Sequence, residues 1–206
     1  MIPAIVLAAG KSSRMGRPKA LLPIGPDHDT FLTRIIAELR AGGVDRIIVV
    51  IGGNAPAVRA SLPPDPWITV VENANYEQGQ LSSLLVGLDA ATREQVDAVM
   101  VTLVDLPLIT AATVRAVLAG HQQSPHAALV RPRRGLRHGH PAIFHRMLFD
   151  ELRNADPSRG AKPVVLAHQA EEVHVDVTDD GPFTDVDTPD DYDRWIRPTL
   201  GRGRQP

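Results

Sequence analysis

The stretch from residue 7 to residue 22, LAAGKSSRMGRPKALL, combines small residues with cations, among them Lys11, Arg14 and Lys19. Small residues allow backbone N–H groups to approach a ligand closely. Cationic side chains supply the charge that phosphate oxygens need. Because this stretch follows a short apolar run, the pattern predicts a loop that binds a phosphorylated ligand.

The tripeptide Gly10-Lys11-Ser12 suggests a P-loop, but the spacing excludes one. A P-loop needs a glycine five residues before this one, where the sequence has Ile5 within an apolar run. The dinucleotide fingerprint G-x-G-x-x-G also fails, because the next glycine is Gly16. The loop must therefore hold phosphate in another way.

A carboxylate, Asp105, follows the apolar run 98–103 in the segment LVDLPLIT. Mg²⁺ prefers one or two carboxylates together with phosphate oxygens, so this position is suited to a metal ligand. Pro107 makes the following turn rigid. Asp105 could instead cap the next helix, but Thr110 is better placed to do so.

A second group of acids lies in FTDVDTPDDYD, residues 183–193. Thr188 is a predicted N-cap with proline at the first helical position, which explains acids early in the helix. Alternation places Asp185 and Asp187 on one side of the extended segment before that helix. The helix does not account for these two carboxylates.

Short β-branched runs alternate with helical patterns and predict the elements that position these residues. Four runs that are apolar on both faces predict buried strands at 3–8, 46–51, 67–71 and 98–103. Helices are predicted at 30–41, 82–91 and 110–122. This order predicts an α/β fold, with a doubly wound, mostly parallel sheet and helices on both faces. Ligands bind such sheets beyond the carboxyl ends of the strands.

The pattern changes after about residue 125. A basic loop at 131–137 is expected, followed by a helix at 145–153, a strand at 172–177 and a helix at 189–197. No linker divides the chain, so we expect one domain over residues 1–198 and a flexible tail over 199–206.

Composition narrows the function classes. The net charge of -2 and the scarcity of aromatic residues disfavour a nucleic-acid partner. The absence of cysteine excludes disulfides and thiolate chemistry. No run approaches the roughly 20 apolar residues of a membrane span, and the start MIPAIVLAAG is a poor signal peptide. We therefore expect a cytoplasmic protein without membrane contact.

The loop pattern L-A-A-G-x-S-x-R-M-G-x-x-K-x-L-L resembles the signature of nucleotidyltransferases that make nucleotide sugars and molybdenum-cofactor dinucleotides. The resemblance is closest to the MobA-like NTP transferase family and its molybdenum cofactor cytidylyltransferase branch. It implies a Rossmann-like nucleotidyltransferase fold. It also implies that residues of this loop wrap an NTP, with the cations on its phosphates: Leu7, Ala8, Ala9, Gly10, Arg14 and Lys19.

Further motifs of the same family match later segments. GQLSSLLVGL, residues 79–88, is similar to a segment that lies against the base and ribose, which implies nucleotide-binding roles for Gly79, Ser82 and Ser83. From the residues alone, either serine is a predicted helix cap. The family motif G-D-x-P implies that Asp105 is a metal ligand, although this chain has Val104 in place of the glycine.

The closing family motif D-V-D-T-P implies a second metal ligand, for which we favour Asp187 over Asp185. The G-H-P motif implies that Gly139, His140 and Pro141 border the acceptor pocket, and residues 158–162 resemble another acceptor segment. A basic rim there would suit a phosphomonoester. His140 has no partner at metal-site spacing, so we do not expect it to bind zinc.

The resemblance implies a Mg²⁺-dependent transfer of NMP from an NTP to a phosphorylated acceptor, with release of pyrophosphate. Arg14, Lys19 and Asp105 are the predicted catalytic residues. In the family Ala9 is associated with CTP, which favours molybdopterin as acceptor, and contact with a molybdoenzyme or cofactor chaperone is an open question. The alternatives are another acceptor, such as a sugar phosphate, and a non-catalytic nucleotide or cofactor-binding protein.

Overall fold

A computed structural model describes residues 1–26 and 29–200, within which eight strands form one sheet. The strand order is β3-β2-β1-β4-β7-β5-β6, and β8 also pairs with β5. The strands are β1 (Ala4–Ala8), β2 (Ile47–Ile51), β3 (Ile68–Glu72), β4 (Ala98–Leu103), β5 (Leu129–Arg134), β6 (Arg137–His138), β7 (Ala142–His145) and β8 (Glu172–Asp176).

The predicted doubly wound, mostly parallel sheet is confirmed. β1 runs parallel to both β2 and β4, and β3 runs parallel to β2. β7 is antiparallel to β4 and to β5. In the register of β1 and β4, Leu7 pairs with Leu103, so these two strands end at the same edge of the sheet. The loop after β1 and Asp105 therefore begin side by side.

Helices cover both faces of the sheet. They are α1 (Phe31–Ala41), α2 (Ala55–Ser61), α3 (Gln80–Ala91), α4 (Ala111–Gln123), α5 (Phe149–Arg153), α6 (Lys162–Ala167), α7 (Pro189–Trp195) and α8 (Arg197–Leu200). Alternate residues of β1 enter opposite core clusters: Val6 packs with α1, α2 and α4, whereas Ile5 packs with α3, α5 and α6. This explains why the central strands are apolar on both faces.

Gly87 allows α3 to lie close to the sheet. A Cβ atom at this position would lie 2.5 Å from Ile5 Cγ2 and 3.0 Å from Val50 Cγ2. Any larger side chain would push the helix away from β1 and β2. The glycine thus fixes the distance between α3 and the strands that end at the candidate site.

Of the predicted helix N-caps, those at Thr110 and Thr188 are confirmed and the serine cap of α3 is not. Thr110 accepts a hydrogen bond from the Thr113 amide, and Thr188 caps α7 in a capping box with Asp191, as expected. The prediction that a serine caps α3 was wrong. The helix begins at Gln80, and its N-cap is Gly79, whose φ of 102° lies in the left-handed region that favours glycine.

The prediction of a loop at 131–137 was wrong, because β5 extends to Arg134 and β6 begins at Arg137. The predicted helix at 145–153 is a 3-10 turn followed by α5, with residue 145 still in β7. Of the predicted tail, Thr199 and Leu200 belong to α8, while residues 201–206 lie outside the described residues. Every helix in the described part of the chain is too short or too polar to cross a bilayer.

Candidate functional site

A cavity of about 340 Å³ lies at the edge of the sheet where β1 and β4 end. The loop after β1, the start of α3 and the segment before α7 close its sides. The predicted site residues in its wall are Leu7, Ala8, Ala9, Gly10, Arg14, Lys19, Gly79, Ser83, Asp105 and Asp187. The fold thus brings the loop cations and two carboxylates distant in sequence to one place.

Ser12 shapes the loop between Gly10 and Lys19. Its φ of 55° reverses the chain, and its carbonyl accepts hydrogen bonds from the amides of Met15 and Gly16, both at 3.0 Å. The Ser12 hydroxyl accepts a further bond from the Lys19 amide at 3.0 Å. Apart from the two chain neighbours of Gly10, no atom of the described residues lies within 4 Å of a Cβ built on it, so a ligand can approach the backbone there.

The cations and carboxylates pair with one another. Lys19 is buried, with Nζ 3.4 Å from Asp105 Oδ2 and in direct contact with Asp187 Oδ1. Arg14 Nη2 lies 2.8 Å from Asp187 Oδ2. The hydrogen bond from Lys19 and the charges of Lys19 and Arg14 hold the pKa of Asp187 below its usual range. Asp187 is therefore ionised at neutral pH.

The carboxylate of Asp105 is placed to bind a cation. Its backbone carbonyl accepts a hydrogen bond from the Val186 amide at 2.8 Å, which holds the segment before α7 against the end of β4. Its Oδ1 is buried and has no hydrogen-bond partner among the described residues. A buried carboxylate oxygen normally has a partner. A divalent cation is a suitable one, because Mg²⁺ and its relatives prefer carboxylate oxygens.

The two candidates for the second metal ligand differ in their position relative to the cavity. Asp187 lines the cavity, whereas Asp185 is only partly buried and is not part of the wall. Partial burial and the neighbouring carboxylates of Asp105 and Asp187 raise the pKa of Asp185. Val104, which replaces the family glycine, lines the cavity and donates its amide to the Leu7 carbonyl at 3.1 Å.

The two serines of α3 differ in position. Ser83 is buried and lines the cavity, whereas Ser82 lies outside its wall and donates its hydroxyl to the Gly79 carbonyl at 2.8 Å. Both hydroxyls accept from Asn73 Nδ2, at 2.9 Å for Ser82 and 3.0 Å for Ser83. Sequence reasoning missed Asn73, whose position after β3 at the ligand edge was the available signal.

A second cavity of about 210 Å³ adjoins the first, since Leu7, Gln80 and Leu103 line both. Its wall is mainly apolar, and it includes Gly139 and His140 but not Pro141. His140 Nδ1 lies 3.1 Å from the Val101 carbonyl, and burial lowers the pKa of His140. A carbonyl can only accept, so Nδ1 carries the proton and Nε2 of the neutral ring is an acceptor.

The expected basic rim is neutralised by acids of β8 and of the segment after it. Arg131 contacts Glu172, Arg133 Nε lies 2.9 Å from Asp176 Oδ1, and Arg134 Nη1 lies 2.6 Å from Asp180 Oδ1. Arg137 also reaches Asp180, at 3.4 Å. Arg131 and Arg133 pair with Glu172 and Asp176 across β5 and β8, whereas Asp180 lies in the segment after β8. These pairs neutralise the positive charge that was expected to face the acceptor.

Sequence reasoning also missed a cluster beside the second cavity. One ligand atom from each of His138, Glu172 and His174 lies within 4.8 Å of the other two. Glu172 and His174 are two residues apart on β8, and His138 belongs to β6, on the other side of β5. The spacing of two residues on a strand was visible in EVHVD, but the contact with His138 depends on the strand order.

Among curated proteins, the chain is 32% identical over 194 residues to a nicotine blue oxidoreductase from Paenarthrobacter nicotinovorans, covering 91% of this chain and 92% of the relative. It is 31% identical over 121 residues to a probable molybdenum cofactor guanylyltransferase from Rhodopirellula baltica. That second alignment covers 59% of this chain and 56% of the relative.

Among solved structures, the fold matches Rv0371c from Mycobacterium tuberculosis H37Rv with a TM-score of 0.80 and 32% identity. The match covers 96% of this chain and 98% of that protein. A structure of Rv0371c in complex with manganese matches with a TM-score of 0.71 and 33% identity, covering 95% of this chain and 98% of that one. The described fold is therefore shared along nearly the whole of both chains.

A family model described as the MobA-like NTP transferase domain matches residues 4–173. This range runs from the start of β1 into β8 and contains the signature loop, the start of α3 and Asp105. The chain belongs to the MobA-like NTP transferase family.

Proposed function

We propose that this protein is a Mg²⁺-dependent nucleotidyltransferase that moves an NMP from an NTP to a phosphorylated acceptor. The favoured NTP is CTP, and the favoured acceptor is molybdopterin. The observation that carries the proposal is the convergence of Arg14, Lys19, Asp105 and Asp187 on one cavity at the ligand edge of the sheet. Two cations and two carboxylates are the charges that a metal–triphosphate complex requires.

In this reaction an oxygen of the acceptor phosphate attacks the α-phosphorus of the NTP. A new P–O bond forms, the bond from the α-phosphorus to the oxygen bridging to the β-phosphate breaks, and that oxygen leaves as part of pyrophosphate. No protein nucleophile is needed, so the enzyme acts by positioning the reactants and by stabilising charge. Arg14 and Lys19 would bind the β- and γ-phosphates and offset the charge of the leaving pyrophosphate.

Asp105 and Asp187 would hold the divalent cation. The buried Oδ1 of Asp105, which has no partner within residues 1–26 and 29–200, fits this role. The manganese complex of Rv0371c supports a divalent ion in a relative of similar fold. Mg²⁺ bound there would neutralise phosphate charge and polarise phosphoryl oxygens. The protein residues orient the triphosphate around it: Gly10 and its neighbours offer backbone amides, and Ser12 holds Lys19 in place.

The second cavity is the proposed acceptor site, because it opens onto the first along Leu7, Gln80 and Leu103. His140 would accept a hydrogen bond from the acceptor through Nε2. Arg131 and Arg133 of β5 pair with acids of β8, so the acceptor phosphate would compete with those acids for the two arginines. GTP is the main alternative to CTP as the substrate, because one relative is named as a probable molybdenum cofactor guanylyltransferase. A sugar phosphate is the alternative acceptor.

A redox function is the second candidate, and two observations favour it. The relative that matches 91% of the chain is named nicotine blue oxidoreductase. The apolar wall of the second cavity would also suit an aromatic substrate beside a nucleotide cofactor. Oxidation of NADH or NADPH by the purified protein, with an aromatic dye as acceptor, would support this candidate. A non-catalytic nucleotide-binding role would give binding without either reaction.

Thermal-shift measurements with the four NTPs in the presence of Mg²⁺ test the nucleotide assignment. A ligand that binds the native state raises the melting temperature by mass action. We expect the largest rise with CTP and a smaller rise when Mg²⁺ is removed. A GTP-selective rise would reassign the base, equal rises would remove the case for CTP, and a rise with NADPH alone would favour the redox candidate.

A further inference from the structure

We propose that His138, Glu172 and His174 bind a divalent transition-metal ion such as Zn²⁺, at a site distinct from the one that Asp105 and Asp187 would form. One ligand atom of each residue lies within 4.8 Å of the others. Ligand atoms around a tetrahedral zinc ion lie about 3.3 Å apart, given bonds of about 2.0 Å. The separation of any two of these atoms would therefore have to shorten by at most about 1.5 Å to reach that spacing.

The unsatisfied nitrogen of His174 carries the inference. His174 Nε2 is buried and makes no hydrogen bond to any described residue, yet it lies 3.1 Å from Glu172 Oε1. A buried polar atom without a partner destabilises the fold, because it has lost its hydrogen bonds to water and gained none in return. A nitrogen and a carboxylate oxygen at this distance, without hydrogen-bond geometry, are placed as two ligands of one ion would be.

The third ligand and the supporting contacts come from neighbouring strands. The rings of His138 and His174 are stacked, with centroids 4.5 Å apart. The Glu172 side chain is only 1% exposed, and Arg131 holds both of its oxygens, with Nη2 3.0 Å from Oε2. Outer hydrogen bonds of this kind orient a ligating carboxylate. Because Arg131 also brings positive charge, we expect weaker binding than at a site without a neighbouring cation.

The donor set indicates the class of ion. Two imidazole nitrogens and one carboxylate oxygen suit Zn²⁺, Ni²⁺ or Co²⁺ better than Mg²⁺, which prefers oxygen ligands. Three protein ligands leave one coordination position open. His138 lines the second cavity, whereas Glu172 and His174 do not, so the metal site would lie beside that cavity.

Isothermal titration of the full chain with Zn²⁺, in millimolar Mg²⁺ to occupy oxygen-only sites, tests this site. We expect one ion per chain, and a Kd at least about tenfold higher in His174→Gln and in His138→Gln. His126→Gln removes an exposed histidine outside the cluster and should leave the Kd unchanged. Equal binding by all four proteins, or no binding by the wild type, would overturn the proposal.

A spectroscopic measurement distinguishes ligation from unfolding. Co²⁺ added to the wild type should give visible absorption typical of a site with nitrogen ligands, and Zn²⁺ should raise the melting temperature. Both effects should be absent in His138→Gln, whose changed side chain lies on the exposed β6 hairpin and should leave folding intact. If His138→Gln keeps the wild-type absorption and melting shift, the three residues do not form the site.

Discussion

Arg14 and Asp187 form an ion pair across the candidate nucleotide cavity, with Nη2 2.8 Å from Oδ2. The residue proposed to bind phosphate therefore contacts a residue proposed to bind metal. Lys19 contacts the same carboxylate, so the nucleotide-free site is neutralised internally. In the proposed mechanism, binding of a metal–triphosphate complex would exchange these contacts, because the cations would bind phosphate and Asp187 would bind the metal. We therefore expect metal and nucleotide binding to be coupled.

The coupling is measurable with Arg14→Gln. Because Arg14 is 70% exposed, its pair with Asp187 is weak, and removing it should strengthen Mg²⁺ binding without nucleotide by only about threefold. NTP binding should weaken by about tenfold, because a charge-assisted contact to phosphate is lost. Calorimetric titration of both ligands measures the two effects. Arg17→Gln, a nearby exposed cation outside the cavity wall, is the control and should change neither value.

Asp187→Asn and Asp185→Asn are matched variants that separate the two candidate metal ligands. Asp187 contacts both cations and lines the cavity, so its loss should lower pyrophosphate release by about two orders of magnitude. Asp185 lies outside the wall, and its variant should remain within about threefold of wild type. Initial rates at saturating NTP, with circular dichroism as a folding check, give the comparison. The reverse order of activities would assign the ligand to Asp185.

Gly87→Ala tests the packing of α3 on the sheet. Alanine in place of glycine inside a helix normally gains about 0.8–1.0 kcal/mol. Here the new Cβ would lie 2.5 Å from Ile5 Cγ2, and overpacking of this kind costs about 1–3 kcal/mol. We expect a net loss of about 1 kcal/mol in the free energy of unfolding, measured by urea denaturation.

Gly10→Ala is the control for that experiment, because its added Cβ would have no atom within 4 Å in the described part of the chain beyond its two chain neighbours. Its free energy of unfolding should stay within about 0.5 kcal/mol of wild type. NTP binding should nevertheless weaken, since the methyl group would enter the space proposed for phosphate. A more stable Gly87→Ala protein would mean that α3 is not in tight contact with β1.

His168 gives a pH dependence away from the site. Its Nδ1 lies 3.0 Å from Glu171 Oε2 and its Nε2 lies 2.9 Å from Glu151 Oε1, and these hydrogen bonds raise the pKa of His168. A raised pKa means that the stabilisation is fully present below the ordinary value of about 6.5 and is lost as the pH rises through the folded value. His168→Gln should therefore destabilise the protein at about pH 5.5 and have little effect at about pH 9.

Urea denaturation of wild type and His168→Gln at both pH values measures this. Glu151→Gln should remove part of the same pH dependence, because it replaces one of the two carboxylates that face the imidazole with a neutral amide. An effect of His168→Gln that is the same at both pH values would assign the loss to packing and not to the charged pairs.

Local sequence patterns predicted most elements of the first 123 residues well. Strands apolar on both faces and capped helices depend on near neighbours in the chain, so β1, β2, β4, α1 and α4 lie close to their predicted positions. The ends of β1 and β4 meet at one edge in any parallel sheet, which explains why Arg14, Lys19 and Asp105 could be grouped from sequence.

The second half depends on contacts between distant segments. Arg131 and Arg133 suggested a basic loop because their partners, Glu172 and Asp176, lie about forty residues later and become neighbours only when β8 pairs with β5. The start of α3 depends on the backbone conformation of Gly79, which side-chain patterns do not report. Predicting the cluster of His138, Glu172 and His174 would likewise require knowledge of the strand order.

Pyrophosphate release by the wild type and by Asp105→Asn tests the central claim most directly. Both proteins would be assayed with CTP, Mg²⁺ and molybdopterin, and with other NTPs and phosphorylated acceptors as a panel. We predict release that requires an acceptor in the wild type, and loss of release in Asp105→Asn with NTP binding partly retained. Undiminished release by Asp105→Asn, or NTP binding without release for every pair in the panel, would contradict the proposed mechanism.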